Sequence, residues 1–255
     1  MASRHNGEDD ENYCAAFGEY TDVSLDCRDE VNQIKNNDPA LTAFHLSPND
    51  AEQFTDLAWE LMGGYIANNV HLDDIDLEGV QLTDSKISLL FRGLAEGGPL
   101  KVLDLAENNF GIDGIRSMVP FLTNARNLRT LSIGENSNIN TECFSLLVEA
   151  LHVGGTIEKM LLNSCGVDDI TALDQFLLPH IRILDLDYNN VCIPTSLENY
   201  TNLERLYLSS NKIGREGCIS IAKLLQKEGL RLRDLRLFST GMGDDEAEIL
   251  LRLAI

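Results

Sequence analysis

The segment DLDYNN sets Asp185, Asp187 and Asn189 in the D-x-D-x-N order that opens a calcium-binding loop. The match stops there. Asn190 occupies the place where such a loop turns on glycine, and no glutamate follows at the twelfth position. A second acidic run, Asp73, Asp74, Asp76 and Glu78, has carboxylates enough to attract a cation, but alternate residues of one strand rarely close a cage around an ion, so we assign it to partner contact or solvation. The five histidines (His5, His45, His71, His152, His180) are scattered, and none stands with a serine or cysteine in a nucleophile setting. Neither phosphate-binding pattern, GxxxxGK[ST] or GxGxxG, occurs. The six cysteines (Cys14, Cys27, Cys143, Cys165, Cys192, Cys218) form no CxxC pair and no zinc-spaced cluster with histidine, so they read as reduced thiols. The expectation is a non-enzyme with no metal and no cofactor.

Composition narrows the partner. A net charge of −21 disfavours nucleic-acid phosphates and anionic lipid, both of which attract basic surfaces, and fits a basic or mixed-charge protein. No apolar run approaches the length of about 18 residues that a bilayer span needs, and MASRHNGEDDENY lacks the apolar stretch of a signal peptide. The expected location is therefore the cytosol or nucleus, and the expected state a monomer. Residues 1–40 carry ten acidic and three basic side chains and no repeat. Their first 20 or so residues have a disordered composition, while DCRDEVNQIKNN has the makings of a helix that caps the first repeat.

Residues 41–255 carry one pattern, LxxLxLxxN(x)L, returning eight times. It reads LTAFHLSPN from Leu41, LDDIDLEGVQL from Leu72, LKVLDLAENNF from Leu100, LRTLSIGENSNI from Leu128, IEKMLLNSCGV from Ile157, IRILDLDYNNV from Ile181, LERLYLSSNKI from Leu203 and LRDLRLFSTGM from Leu232. In LKVLDL, Leu103 and Leu105 are two apart and share the inner face of a strand, with Val102 and Asp104 on the other. Ile112, Ile115, Met118, Val119 and Leu122 then recur at three- and four-residue steps, the stripe of a helix. The ninth position holds Asn49, Asn108, Asn136, Asn189 and Asn211, which predicts a ladder of buried side-chain amides along the stack. Gly63-Gly64, Gly97-Gly98, Gly154-Gly155 and Gly229 are placed to end helices.

These eight copies resemble the ribonuclease-inhibitor-like subfamily of leucine-rich-repeat proteins, whose repeats alternate a short strand with a full helix. The resemblance implies an α/β solenoid, a curved horseshoe of about eight repeats with parallel strands on the concave face and helices on the convex face. Strands stand about 4.8 Å apart and packed helices about 8–10 Å, so such a stack must bend with its strands inside. The repeats from Ile157 and Ile181 are short; IPTSLENYTN has room for about one turn, which predicts a flatter arc there. At the far end the chain stops at EILLRLAI with no recognisable cap. Three readings stay open: a final helix polar enough outside, a covering partner, or a truncated array.

The concave surface is formed by the residues that flank the inward leucines. Lys101, Arg129, Lys159, Arg182, Arg205 and Arg233 give a basic rim. Asp76, Asp104, Asp185, Tyr207 and Arg236 occupy the fifth position, and Glu78, Glu107, Glu135, Asp187, Tyr188 and Phe238 the seventh and eighth. The candidate partner-binding residues are accordingly Asp76, Glu78, Asp104, Glu107, Arg129, Glu135, Asp185, Asp187, Tyr188, Arg205, Tyr207, Arg236 and Phe238. Aromatics among charges have the composition of interface anchors. The leading expectation is an interaction module or scaffold. The subfamily resemblance supplies an alternative, a regulator of a Ran-type small GTPase, and two remoter ones, a ribonuclease inhibitor or the sensing half of an immune receptor.

Overall fold

The computed structural model describes residues 23–94, 98–193 and 197–253; the first 20 or so residues, expected from composition to be disordered, lie outside them. Eight three-residue strands, β1 (Ala43–His45), β2 (Asp74–Asp76), β3 (Val102–Asp104), β4 (Thr130–Ser132), β5 (Lys159–Leu161), β6 (Ile183–Asp185), β7 (Arg205–Tyr207) and β8 (Asp234–Arg236), pair in chain order into one parallel sheet. The central residues align in register from Phe44 through Ile75, Leu103, Leu131, Met160, Leu184 and Leu206 to Leu235. That column and the leucines two residues on face inward and are buried through seven of the eight repeats. Helices lie on the other side: α1 (Leu25–Lys35), α2 (Pro48–Glu52), α3 (Asp56–Asn68), α4 (Asp84–Leu94), α5 (Ile112–Asn124), α6 (Thr141–Gly154), α7 (Ala172–Gln175), α8 (Gly214–Leu225) and α9 (Asp244–Leu253). This is the curved leucine-rich-repeat solenoid that the pattern predicts. In the two short repeats the convex element shrinks to the 4 residues of α7 and a three-residue 3-10 turn at Leu197–Asn199. Among the described residues no helix is long and apolar enough to cross a membrane.

The turns leaving the strands are held by the asparagines. Asn108 donates its amide N–H groups to the carbonyls of Leu77 (2.8 Å), Leu105 (3.1 Å) and Ala106 (2.9 Å), and its Oδ1 accepts from the Leu82 N–H at 2.8 Å. Asn136, Asn189 and Asn211 repeat the donor half of this scheme, and the Leu105 and Leu186 carbonyls each receive two asparagines from successive repeats. The ladder is interrupted where the ninth residue is Val80, Cys165 or Thr240. The residue before it is left-handed in seven repeats, with φ of 55–57° at Glu107, Glu135, Ser164, Tyr188, Ser210 and Ser239 and 68° at Gly79.

Asn49 does not join the ladder. Pro48 starts a helical turn that Ser47 caps, so the first repeat leaves its strand through α2 and Asn49 is exposed. Its neighbour Asp50 is the buried residue, accepting from the Ser24 N–H (2.6 Å), the Ser24 hydroxyl (3.1 Å) and the Ser47 hydroxyl (2.7 Å), which fastens α1 to the first repeat. Burial opposes ionisation of Asp50, but these hydrogen bonds outweigh it and hold the carboxyl below its ordinary value. Trp59, on α3, is fully buried with Phe54 against it at 5.2 Å between ring centroids.

Of the glycines read as helix ends, Gly155 and Gly229 are left-handed and Gly155 caps α6. Gly63 and Gly64 instead lie inside α3, because their task is close approach. A Cβ on Gly63 would stand 2.0 Å from the Leu90 carbonyl oxygen, and one on Gly93 2.4 Å from the Gly64 nitrogen, so α3 and α4 touch backbone to backbone. Gly93→Ala should therefore lower unfolding stability by about 1–3 kcal/mol, whereas Gly64→Ala, with open space around it, should be neutral or stabilising by about 0.5–1 kcal/mol through helix propensity. Asn189→Leu should cost about 1–3 kcal/mol in denaturant unfolding by leaving buried backbone groups unpaired; unchanged midpoints would refute the ladder's role.

Candidate functional site

Each strand shows two side chains to the concave face, and the turn after it adds two more at the edge. At the N-terminal end this arrangement gathers charge of one sign. One carboxylate oxygen each of Asp76, Glu78 and Asp104 lies within 4.8 Å of the others. Glu78 and Glu107, from adjacent turns, stand carboxyl to carboxyl, close enough to share a hydrogen bond when one of them is protonated. That bond, then burial, then the charges of Asp104, Glu107 and Asp76 raise the Glu78 carboxyl above its ordinary value. Burial first, and then Asp73, Asp76 and Asp104, raise Asp74. Among the described residues no lysine or arginine forms an ion pair with Asp74, Glu78, Asp104 or Glu107. His45 on β1 reaches Asp76 at 2.8 Å. Asp74 belongs to the acidic run that the sequence assigns to partner contact or solvation, whereas His45 was not singled out; the available signal for it was its place in the strand column of Asp76 and Asp104.

Several of these carboxylates also hold the backbone. Asp76, Asp104 and Asp185 each accept from the N–H two residues on, Glu78 (3.0 Å), Ala106 (2.9 Å) and Asp187 (3.0 Å), the turn that aspartate favours. Asp187 accepts from the Ser209 N–H of the next repeat. Asp185 is raised chiefly by burial and by Asp187, with the Asp187 N–H and Arg236 opposing. Glu135 is exposed in its turn and accepts from the Asn163 amide at 3.5 Å.

The basic rim expected from the sequence is an alternating one. Lys101 pairs with Asp73 (2.5 Å), Arg129 with Glu158 (3.4 Å), and Arg182 with both Glu158 (3.5 Å) and Glu204 (2.7 Å). The hydrogen bond from Arg182 holds Glu204 below its ordinary value. Partners from adjacent repeats neutralise these cations, and Arg129 also spends Nη1 on the carbonyls of Leu128 and Thr156. Arg205 is exposed on β7.

The aromatics divide. Tyr188 and Phe238 are 65% and 74% exposed, on the turns after β6 and β8. Tyr207, expected to be exposed, is only 8% so. The Arg236 guanidinium lies over its ring at 3.8 Å and its hydroxyl hydrogen-bonds the Asp234 carboxylate, so the next repeat covers it. Arg236 in turn faces Asp234 at 3.3 Å.

The five cysteines among the described residues are free; Cys27, Cys143, Cys165 and Cys218 are buried, and burial pushes the Cys27 thiol up to about 12.

A leucine-rich-repeat family model matches residues 201–222. The chain is 28% identical to ribonuclease inhibitor of Sus scrofa over 68% of its own length, 26% identical to the Rho GTPase-activating protein gacW of Dictyostelium discoideum over 62%, and 28% identical to Tonsoku-like protein of Mus musculus over 71%. It spans 34%, 13% and 15% of those relatives. Among solved structures it is similar to an internalin of Listeria monocytogenes, with 21% identity, a TM-score of 0.49, and coverage of 73% of this chain and 54% of that one. Eight repeats stacked on a continuous parallel sheet give the chain the leucine-rich-repeat fold, and in sequence it is similar to proteins that include a ribonuclease inhibitor.

Proposed function

We propose that the chain is a non-enzymatic binding module that takes up a protein partner on its concave face, in the cytosol or nucleus. Proteins built of leucine-rich repeats generally mediate contacts between proteins. The observation that carries the concave-face reading is the pair of exposed aromatics, Tyr188 and Phe238, at one end of the same face that carries unpaired carboxylates at the other. Large aromatic side chains surrendering that much area to water are costly unless covered, and carboxylates that raise each other's pKa are relieved by a cation. A partner with a basic patch and an apolar patch answers both. The Sus scrofa relative is by name an inhibitor of a ribonuclease and the Dictyostelium one a GTPase-activating protein. Each is matched over a third or so of its length or less, so neither activity is proposed for this chain.

Affinity purification of a bound protein with wild type and with Tyr188→Ala/Phe238→Ala tests the reading. The double variant should weaken the same partner by about 2 kcal/mol or more, the scale of an interface anchor, while unfolding stability stays within about 0.5 kcal/mol per substitution. An unchanged set of bound proteins would overturn it, and accelerated GTP hydrolysis by a Ran-type GTPase would favour the regulator alternative. Tyr207→Ala is unsuited to this test because the ring is buried.

The carboxylate end has a stability signature. A raised folded-state pKa means that the folded chain binds more protons than the unfolded one just above the ordinary glutamate value, so ionised Glu78 destabilises the fold at neutral pH. Glu78→Gln should therefore raise the Tm at pH 7 in low salt. The gain should shrink as the pH falls through the window between the ordinary and raised values, and fade near 1 M salt, where the screening length is about 3 Å. A lower Tm for Glu78→Gln in low salt would contradict the uncompensated-charge account.

A further inference from the structure

The outward column that is acidic at β2, with Asp74, turns basic at β5. Register sets Lys159 on β5, Ile183 on β6 and Arg205 on β7 side by side on the concave face. Together with Arg182 and Glu204 they line a cavity of about 260 Å³. Three cations there meet one carboxylate, and that carboxylate is spent: Glu204 Oε1 accepts from Arg182 Nε at 2.9 Å and from Arg182 Nη2 at 2.7 Å. Arg182 Nη1 turns to Glu158 at 3.5 Å. Lys159 and Arg205 are exposed beside this network, and among the described residues their side chains form no ion pair and no hydrogen bond. On β6, Asp185 is occupied with the Asp187 N–H at 3.0 Å, and burial opposes its charge. The local field is positive: Glu204 is held below its ordinary value first by the Arg182 hydrogen bond, then by the charges of Arg182, Arg233 and Arg231. The net charge of −21 does not reverse this. At physiological salt the screening length is about 8 Å, and the carboxylate strip on β2 and β3 ends two strands, about 10 Å, from β5.

We propose that this cavity receives a phosphorylated serine or threonine side chain of a protein partner, with the phosphoryl group between Lys159 and Arg205 and its stem on Ile183. A carboxylate carries one charge and answers one of the two unpaired cations. A phosphoryl group at neutral pH carries nearly two, with three acceptor oxygens. Arg205 offers it a planar fork of donors and Lys159 a further ammonium, all of them uncommitted. Ile183 is half-buried between them, an apolar floor for the methyl group of a phosphothreonine. The cavity is reached from the open concave face, the approach available to a side chain displayed on another protein. The inference rests on that face taking a protein partner, and it adds a second contact, opposite in sign to the strip around Glu78, that makes uptake dependent on phosphorylation.

Amide NMR titration of the full 255-residue chain with a short Gly-Ser peptide carrying one phosphothreonine, up to about 5 mM to suit a single small contact, tests it. Saturable shifts are expected at Lys159, Ile183 and Arg205. The unphosphorylated peptide should give none, and a glutamate in place of the phosphothreonine, or inorganic phosphate alone, should bind about tenfold more weakly or less. Lys159→Ala and Arg205→Ala should each raise the Kd about tenfold or more with the Tm of wild type, whereas Arg215→Ala, an exposed cation on α8 outside the cavity, should leave it unchanged. Shifts absent from these three amides, a glutamate peptide or free phosphate that binds as tightly, or a Kd indifferent to both alanine variants would each overturn the proposal. None of these results involves Tyr188 or Phe238, so failure here leaves the concave-face reading to its own test.

Discussion

Three-residue strands are too short to hold a sheet by themselves, and in four of the eight repeats a buried asparagine amide in the turn after the strand fixes it to the repeat before. Its two N–H bonds collect carbonyls from its own turn and from the preceding repeat, groups that the turn geometry would otherwise leave unpaired inside the stack. Because the Leu105 and Leu186 carbonyls are shared by successive asparagines, neighbouring repeats are coupled and each turn takes its shape from the one before. Curvature follows from this coupling: strands held at sheet spacing on one side oppose helices that need about twice that distance on the other. Where the convex element is a single turn, at α7 and Leu197–Asn199, the opposition is weakest.

The concave face inherits its chemistry from the same turns. Aspartate at the fifth position is there for the backbone first, since Asp76, Asp104 and Asp185 each close the turn by accepting an N–H. Their charge comes with that service, and register places it side by side on adjacent strands. On the rim the conflict is resolved by alternating cations, Lys101 with Asp73 and Arg182 with Glu204. In the strip around Glu78 it is left unresolved.

The leucine and asparagine columns were legible in the sequence because they repeat, and the strands, their order and the short convex elements follow from them. Features that depend on a neighbour in space were not. Asn49 satisfies the pattern, yet Pro48 and Ser47 divert the chain into a helix. Gly63 and Gly64 look like a helix end and are a contact with Gly93, 30 residues away in sequence. Tyr207 is aromatic in an outward column, but Arg236 one repeat later covers it, and Glu158 and Glu204 neutralise the exposed rim arginine Arg182. A column assignment gives the side to which a residue points; adjacent columns decide how much of it water reaches.

Seven successive turns hold their eighth residue in the left-handed region, whether it is Gly79, Glu107, Glu135, Ser164, Tyr188, Ser210 or Ser239. In most of these turns the backbone there is dictated from beneath by the ninth side chain, and glutamate, serine and tyrosine accept it alike. The side chain at that site is thereby uncoupled from folding. Lineages or engineers can rewrite a row of outward-facing groups along the rim, one repeat at a time, and alter recognition without renegotiating the architecture that displays it.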